Sequence, residues 1–153
     1  LGATFRLQGT VNVARQGRKE GLDMPGRRIL VISQDRWLLD RLRDLLDAEG
    51  FKAEIALSGA VGSTIAVERR VDLLLVDEAV DDFQNVRKIK DPAASTYRLP
   101  AIIIKANGNA PKADVLKLFP SAVLERTFEP KDLITNIKNA LSQRTGARVR
   151  NCA

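Results

Sequence analysis

Four side chains of 153 stand where apolar runs end, and they carry whatever chemistry this chain has. Asp77 closes the run Val71-Asp72-Leu73-Leu74-Leu75-Val76. Asp35 lies just beyond Ile29-Leu30-Val31-Ile32, after Ser33 and Gln34. Lys105 follows Ala101-Ile102-Ile103-Ile104, and Arg126 follows Ser121-Ala122-Val123-Leu124 by two residues. A carboxylate can bind a hard cation through oxygen or cap a helix. A lysine or arginine can hold an anion or pair with a carboxylate. The chain has no histidine, which excludes imidazole acid–base chemistry, imidazole metal ligands and a phosphohistidine relay within it. Its one cysteine, Cys152, permits no disulfide within the chain, reads as a plain tail residue and points to a reducing compartment. Without a Gly-rich phosphate loop or a nucleophile–base pair, an enzyme is not expected.

The runs that end at these residues have the length of strands buried on both faces, as in a parallel sheet. Phe51–Ala56 alternates and reads as a strand nearer an edge, and Ser121–Leu124 as a fifth strand. Helical stripes lie between them. Trp37, Leu38, Leu42, Leu45 and Leu46 share one face, stopped by Gly50, with Trp37 expected to pack in the core. Val61, Ile65 and Ala66 mark a second helix. Phe83–Lys90 is a short third, with Asp81 and Asp82 as expected caps and Asp91-Pro92 as its end. Pro111–Leu118 is a fourth, and Leu133, Ile134, Ile137, Ala140 and Leu141 form the stripe of a fifth, opened by Pro130. Five strand–helix repeats predict an α/β domain, a doubly wound five-stranded parallel sheet flanked by five helices.

Charge divides the chain. The net charge is +6, yet residues 29–143 hold 16 Lys/Arg against 17 Asp/Glu, so the basicity belongs to the flanks. Residues 1–26 read as an extension: a hairpin, or the end of a preceding domain, over Thr4–Val13 and then a linker. Residues 27–143 read as the domain and 144–153 as a basic tail. Basic ends can touch nucleic acid, but no aromatic residues interleave them, so solvated linkers are the expectation. No run is long enough to span a bilayer, and no apolar leader is visible; a cytoplasmic location is expected. The leading Leu1 suggests a fragment or a processed chain.

With these residues in place, about 27–143 resembles a response-regulator receiver domain, the flavodoxin-like phospho-acceptor module of bacterial two-component signalling. The matching segments are Arg28–Asp35, Val71–Asp77, Leu99–Ala106 and Thr127–Leu133. The resemblance implies Asp77 as the phospho-acceptor position. It also implies two acidic Mg²⁺ ligands after the first strand, where this chain has Ser33 and Gln34, with Asp35 alongside. The family's hydroxyl after the fourth strand is Lys105 here. Its Lys-Pro after the fifth strand is Arg126-Thr127, and its aromatic switch position is Val123. The loop Glu78–Asn85 lacks the usual Pro and Gly.

Negative charge must be neutralised during phosphoryl transfer, which Mg²⁺ does in the family. Here the pocket is Ser33, Gln34, Asp35, Asp77, Lys105 and Arg126, close to neutral, so no cofactor is expected and Mg²⁺ is disfavoured; Asp35 and Asp77 are the ligands if a metal binds at all. Asp77 is expected to pair with Arg126 or Lys105 as a built-in substitute for the metal. The competing roles are Asp35 as cap of the first helix, and Lys105 and Arg126 as ligands for an anion. The expected function is an atypical, phosphorylation-independent receiver, or pseudo-receiver, that binds a signalling protein. Its homodimer face would be the fourth and fifth helices, Lys112–Lys117 and Leu133–Leu141. Two other readings stay open: a working phospho-acceptor at Asp77 with a rewired pocket, and a nucleic-acid-associated protein using its basic ends, the latter unlike a chain whose folded part is nearly neutral.

Overall fold

A computed structural model describes residues 26–105 and 112–152, with side chains described up to 143. The expected hairpin and linker before residue 26, and Pro111, lie outside the described residues.

The chain alternates strand and helix five times: β1 (Arg28–Ile32), α1 (Arg36–Ala48), β2 (Lys52–Ala56), α2 (Gly59–Glu68), β3 (Leu73–Asp77), α3 (Phe83–Ile89), β4 (Ala101–Lys105), α4 (Ala113–Leu116), β5 (Ala122–Glu125) and α5 (Pro130–Cys152). The strands form one parallel sheet in the order β2-β1-β3-β4-β5. The segment read as a basic tail continues α5 as far as Cys152.

Side chains alternate across a strand, so each central strand feeds two cores. Ile29, Val31, Leu73, Leu75, Ile102 and Ile104 face one way, against Leu38, Leu42 and Leu46 of α1 and Leu133, Ile137 and Leu141 of α5. Leu30, Ile32, Leu74, Val76 and Ile103 face the other, against Ala66 of α2, Val86 and Ile89 of α3 and Val115 of α4. Burial on both faces explains why these strands are continuous apolar runs.

Two expectations change. Trp37 is 69% exposed, and Leu39 fills the core in its place. The helix turns by 100° per residue, so Leu38, Leu39, Leu42 and Leu46 form the inward stripe and Trp37 lies outside it. In α2, Val61 is exposed, and Gly59, Gly62 and Ala66 face inward. The reason is proximity: a Cβ on Gly59 would lie 2.6 Å from the Asp82 carbonyl oxygen. In α5, Leu133, Ile137 and Leu141 are fully buried against the sheet, which leaves the outer residues of this helix exposed or half-buried. Among the described residues, no helix is long and apolar enough to cross a membrane.

Candidate functional site

The direction of winding reverses between β1 and β3, which lie side by side with Ile32 opposite Val76. The carboxyl ends of neighbouring strands diverge in their connections at such a point and leave a crevice. One residue further along each strand come Ser33 and Asp77, both buried. Register alone therefore brings together residues 44 positions apart.

Asp77 is enclosed by donors. The Ser33 hydroxyl donates to Oδ2 at 2.8 Å, the Ala79 backbone N–H donates to Oδ1 at 3.0 Å, and Arg126 Nη1 lies 3.1 Å from both oxygens. The Asp77 side chain is 5% exposed and that of Arg126 29%. Ser33 Oγ also accepts from the Asp35 backbone N–H at 3.1 Å, so the buried hydroxyl is used as donor and acceptor. Arg126 extends its other nitrogen, Nη2, to Asp35 Oδ2 in a short ion pair. Asp35 in turn caps α1, accepting from Trp37 and Leu38 through Oδ1. One guanidinium thus bridges two carboxylates, as a planar fork of donors is built to do.

Arg126 is held by its backbone. Its carbonyl and that of Phe128 accept from the Arg41 guanidinium at 3.4 and 3.0 Å, and Arg41 lies 4.4 Å from the Phe128 ring centroid. Sequence reading missed Arg41, because its partners are 85 and 87 residues away. Lys105 pairs with Glu125, its cross-strand neighbour, at 3.4 Å. Asp35, Arg126 and Asp77 together carry a formal charge of −1. Gln34 is exposed, and its Oε1 accepts from the Asp81 N–H at 3.3 Å. Val123 is half-buried and packs against the second core.

Asp82 corrects another expectation. It holds the N-cap position of α3 but makes no side-chain cap there. Its carboxylate instead accepts from Gly59 and Ala60 at 2.6 and 2.9 Å, capping α2, and from Asn85 Nδ2 at 3.0 Å. Ser58 takes the next amide, Val61. The Asn85 amide, then the Gly59 amide, stabilise the charged form and hold the Asp82 pKa below its ordinary 3.8, against a smaller opposing effect of burial.

Among the described residues, no three Asp, Glu or Cys side chains gather in a metal-holding group. Beside the Asp77 carboxylate stand the Ser33 hydroxyl and the Arg126 guanidinium.

No protein-family model matches the chain. It is 29% identical over 115 residues to the transcriptional regulatory protein CpxR of Klebsiella pneumoniae, covering 74% of this chain and 49% of that protein. It is 28% identical over 127 residues to the uncharacterized transcriptional regulatory protein YbdJ of Bacillus subtilis, covering 80% and 54%. The chain spans about half the length of these curated relatives. A response-regulator receiver domain from Clostridium thermocellum superposes with a TM-score of 0.68 at 24% identity, over 78% of this chain and 97% of that one. The receiver domain of the sensor histidine kinase PA1611 from Pseudomonas aeruginosa, whose active-site cleft coordinates magnesium, superposes with a TM-score of 0.67 at 19% identity, over 76% and 98%. In fold and strand order the described part of the chain has the architecture of these receiver domains, and its sequence is similar to those of the transcriptional regulatory proteins.

Proposed function

We propose that this receiver domain works as a protein–protein interaction module in signal transduction, without Mg²⁺-dependent phosphorylation and without catalysis of its own. The observation that carries the reading is the Arg126 clamp on Asp77. A nucleophilic carboxylate needs a free oxygen lone pair directed at phosphorus and a cation to offset the charge of the incoming phosphoryl group. Here one guanidinium, one hydroxyl and one backbone amide already approach the two oxygens. The cation is covalently part of the chain, so the pocket holds by itself a charge arrangement that other receivers complete with a metal. A divalent ion in the same place would face the guanidinium at close range, with Ser33 and Gln34 where carboxylates would be needed. The residues present do not fit Mg²⁺.

A consequence is a surface whose shape does not depend on a phosphoryl group. The partner class is a signalling protein. Pairing of two copies across α4, β5 and α5 is a finer form of the same reading. It would rest on exposed Leu116 and the outer residues of α5, since the inner stripe is buried.

The test is intact-protein mass after incubation with Mg²⁺ and a small phosphoryl donor, with Asp77→Asn as control. The expected result is no phosphoryl adduct that the control lacks. An adduct on the wild type alone would mean that Arg126, whose side chain is part-exposed, swings away and that Asp77 is a working switch.

A further inference from the structure

At the opposite end of the sheet from Asp77, a groove of about 450 Å³ runs between α3 and the turn after α4. The connections that form it, α3–β4 and α4–β5, enter strands at their amino ends, whereas the Asp77 site lies at the carboxyl ends. Arg87, Lys88, Lys90 and Lys117 line it, and Tyr97 and Phe119 supply the aromatic surface.

Phe119 is the unusual residue. Its φ is +51°, in the left-handed region that Gly or Asn occupies at little cost and an aromatic residue rarely does. The residue is 75% exposed, so the strain is not offset by burial. Leu118, just before it, is buried and anchors the turn, and the Phe119 N–H donates to the Leu116 carbonyl at 3.0 Å. The fold thus holds a large exposed side chain on a strained backbone among the residues that line a basic groove, and such strain clusters at functional sites. Tyr97, at 37% exposed, presents a second ring.

The charges select the occupant. Asp114 lies 3.5 Å from Arg87 and 3.8 Å from Lys117, and Asp91 lines the groove with its carboxylate on the Ala93 N–H at 2.8 Å. Lys90 donates to the Leu99 carbonyl at 2.7 Å, and burial lowers its pKa. The four cations therefore exceed the two carboxylates by two charges. We propose that this groove binds an acidic peptide segment of a partner protein, its carboxylates on Arg87, Lys88 and Lys117 and one large apolar side chain between Tyr97 and Phe119. A nucleic-acid backbone is a poorer match. Two carboxylates sit among the cations, and residues 29–143 carry no basic excess to draw a polyanion in. A peptide also brings N–H groups that Asp91 and Asp114 can accept from. The inference stands whether or not Asp77 is phosphorylated.

The test is an NMR titration of the ¹⁵N-labelled full chain with the hexapeptide Asp-Glu-Asp-Phe-Glu-Asp. Shifts are expected along 84–97 and 116–120, with the amides of 33–35 and 77–79 unmoved. Arg87→Glu and Lys117→Glu should each weaken binding about tenfold, as loss of an interfacial charge pair does. Phe119→Gly separates binding from folding: it should weaken the peptide while leaving the melting temperature equal or higher, because glycine relieves the positive φ. Scattered shifts, variants that bind as the wild type does, or an oligonucleotide of equal charge that binds the same groove more tightly would each overturn the proposal.

Discussion

Arg126 has two jobs that pull in one direction. It neutralises Asp77, whose side chain is 5% exposed, and it ties the β5–α5 connection to the start of α1 through Asp35. Removing one partner of a buried pair leaves the other charge without compensation, which is costlier than the net worth of the pair. Asp77 would keep Ser33 and Ala79 as donors, so the loss stays below that of a bare charge. Arg126→Met is expected to cost about 1–3 kcal/mol in urea unfolding. In the double variant with Asp77→Asn the two losses should fall short of adding, since the second change removes the stranded charge. Strict additivity would mean that the two side chains do not interact.

Asp82 gives a pH dependence of definite sign. Its folded-state pKa lies below the unfolded value, so its stabilisation is complete above about pH 4 and fades as pH falls through the folded value. Asp82→Ala should therefore destabilise by about 1 kcal/mol near neutrality, as other N-cap losses do. The gap between variant and wild type should then close as pH falls from about 4 through the lowered folded-state value. Chemical unfolding across that range measures it; a gap that is constant with pH would show that the carboxylate's charge is not what caps α2.

At the scale of elements, α2 and α3 are spliced closely. The cap of α2 comes from Asp82, and Gly59 sits against the backbone of the same turn. A Cβ there would meet Asp82 O at 2.6 Å and Val86 N at 3.0 Å, both backbone atoms that cannot rotate aside. A Cβ on Gly62 would meet Ile32 Cδ1 at 2.6 Å, the free end of a side chain. Gly59→Ala should cost about 1–3 kcal/mol through overpacking. Gly62→Ala should cost distinctly less, because Ile32 can change rotamer and alanine favours the helix by nearly 1 kcal/mol. Equal losses would place the strain elsewhere. The same economy explains why α2 shows no clear apolar stripe: its inward face is built of glycine and alanine.

For the whole molecule, the distribution of charge matters more than its sum. The domain is close to neutral over 29–143, and the α3–α4 groove gathers four of its cations, Arg87, Lys88, Lys90 and Lys117. A ligand that binds the folded form alone must raise its stability in proportion to occupancy. If Arg126 fills the cation's place, millimolar Mg²⁺ should leave the melting temperature unchanged, while Arg126→Met together with Ser33→Asp should acquire a rise. A rise in the wild type would show that the guanidinium and the metal coexist.

The sheet, its parallel order and the positions of Asp77, Asp35, Lys105 and Arg126 at strand ends were legible in the residues, because continuous apolar runs of strand length between helical stripes point to strands buried on both faces. Even the pairing of Asp77 with a cation followed from charge balance. Which cation it is, and which residues cap or clamp, depended on distance in space. Lys105 and Glu125 are 20 residues apart, Gly59 and Asp82 23, and Arg41 and Phe128 87, and nothing local in any of these segments names its partner. Trp37 shows the same limit from the other side, since a large apolar residue next to a stripe is placed in or out by about 100° of helix rotation. Period and run length are properties of the chain and can be read along it. Partner choice is decided by the register between strands and by the packing of helices on the sheet, which come into existence only when the chain has folded.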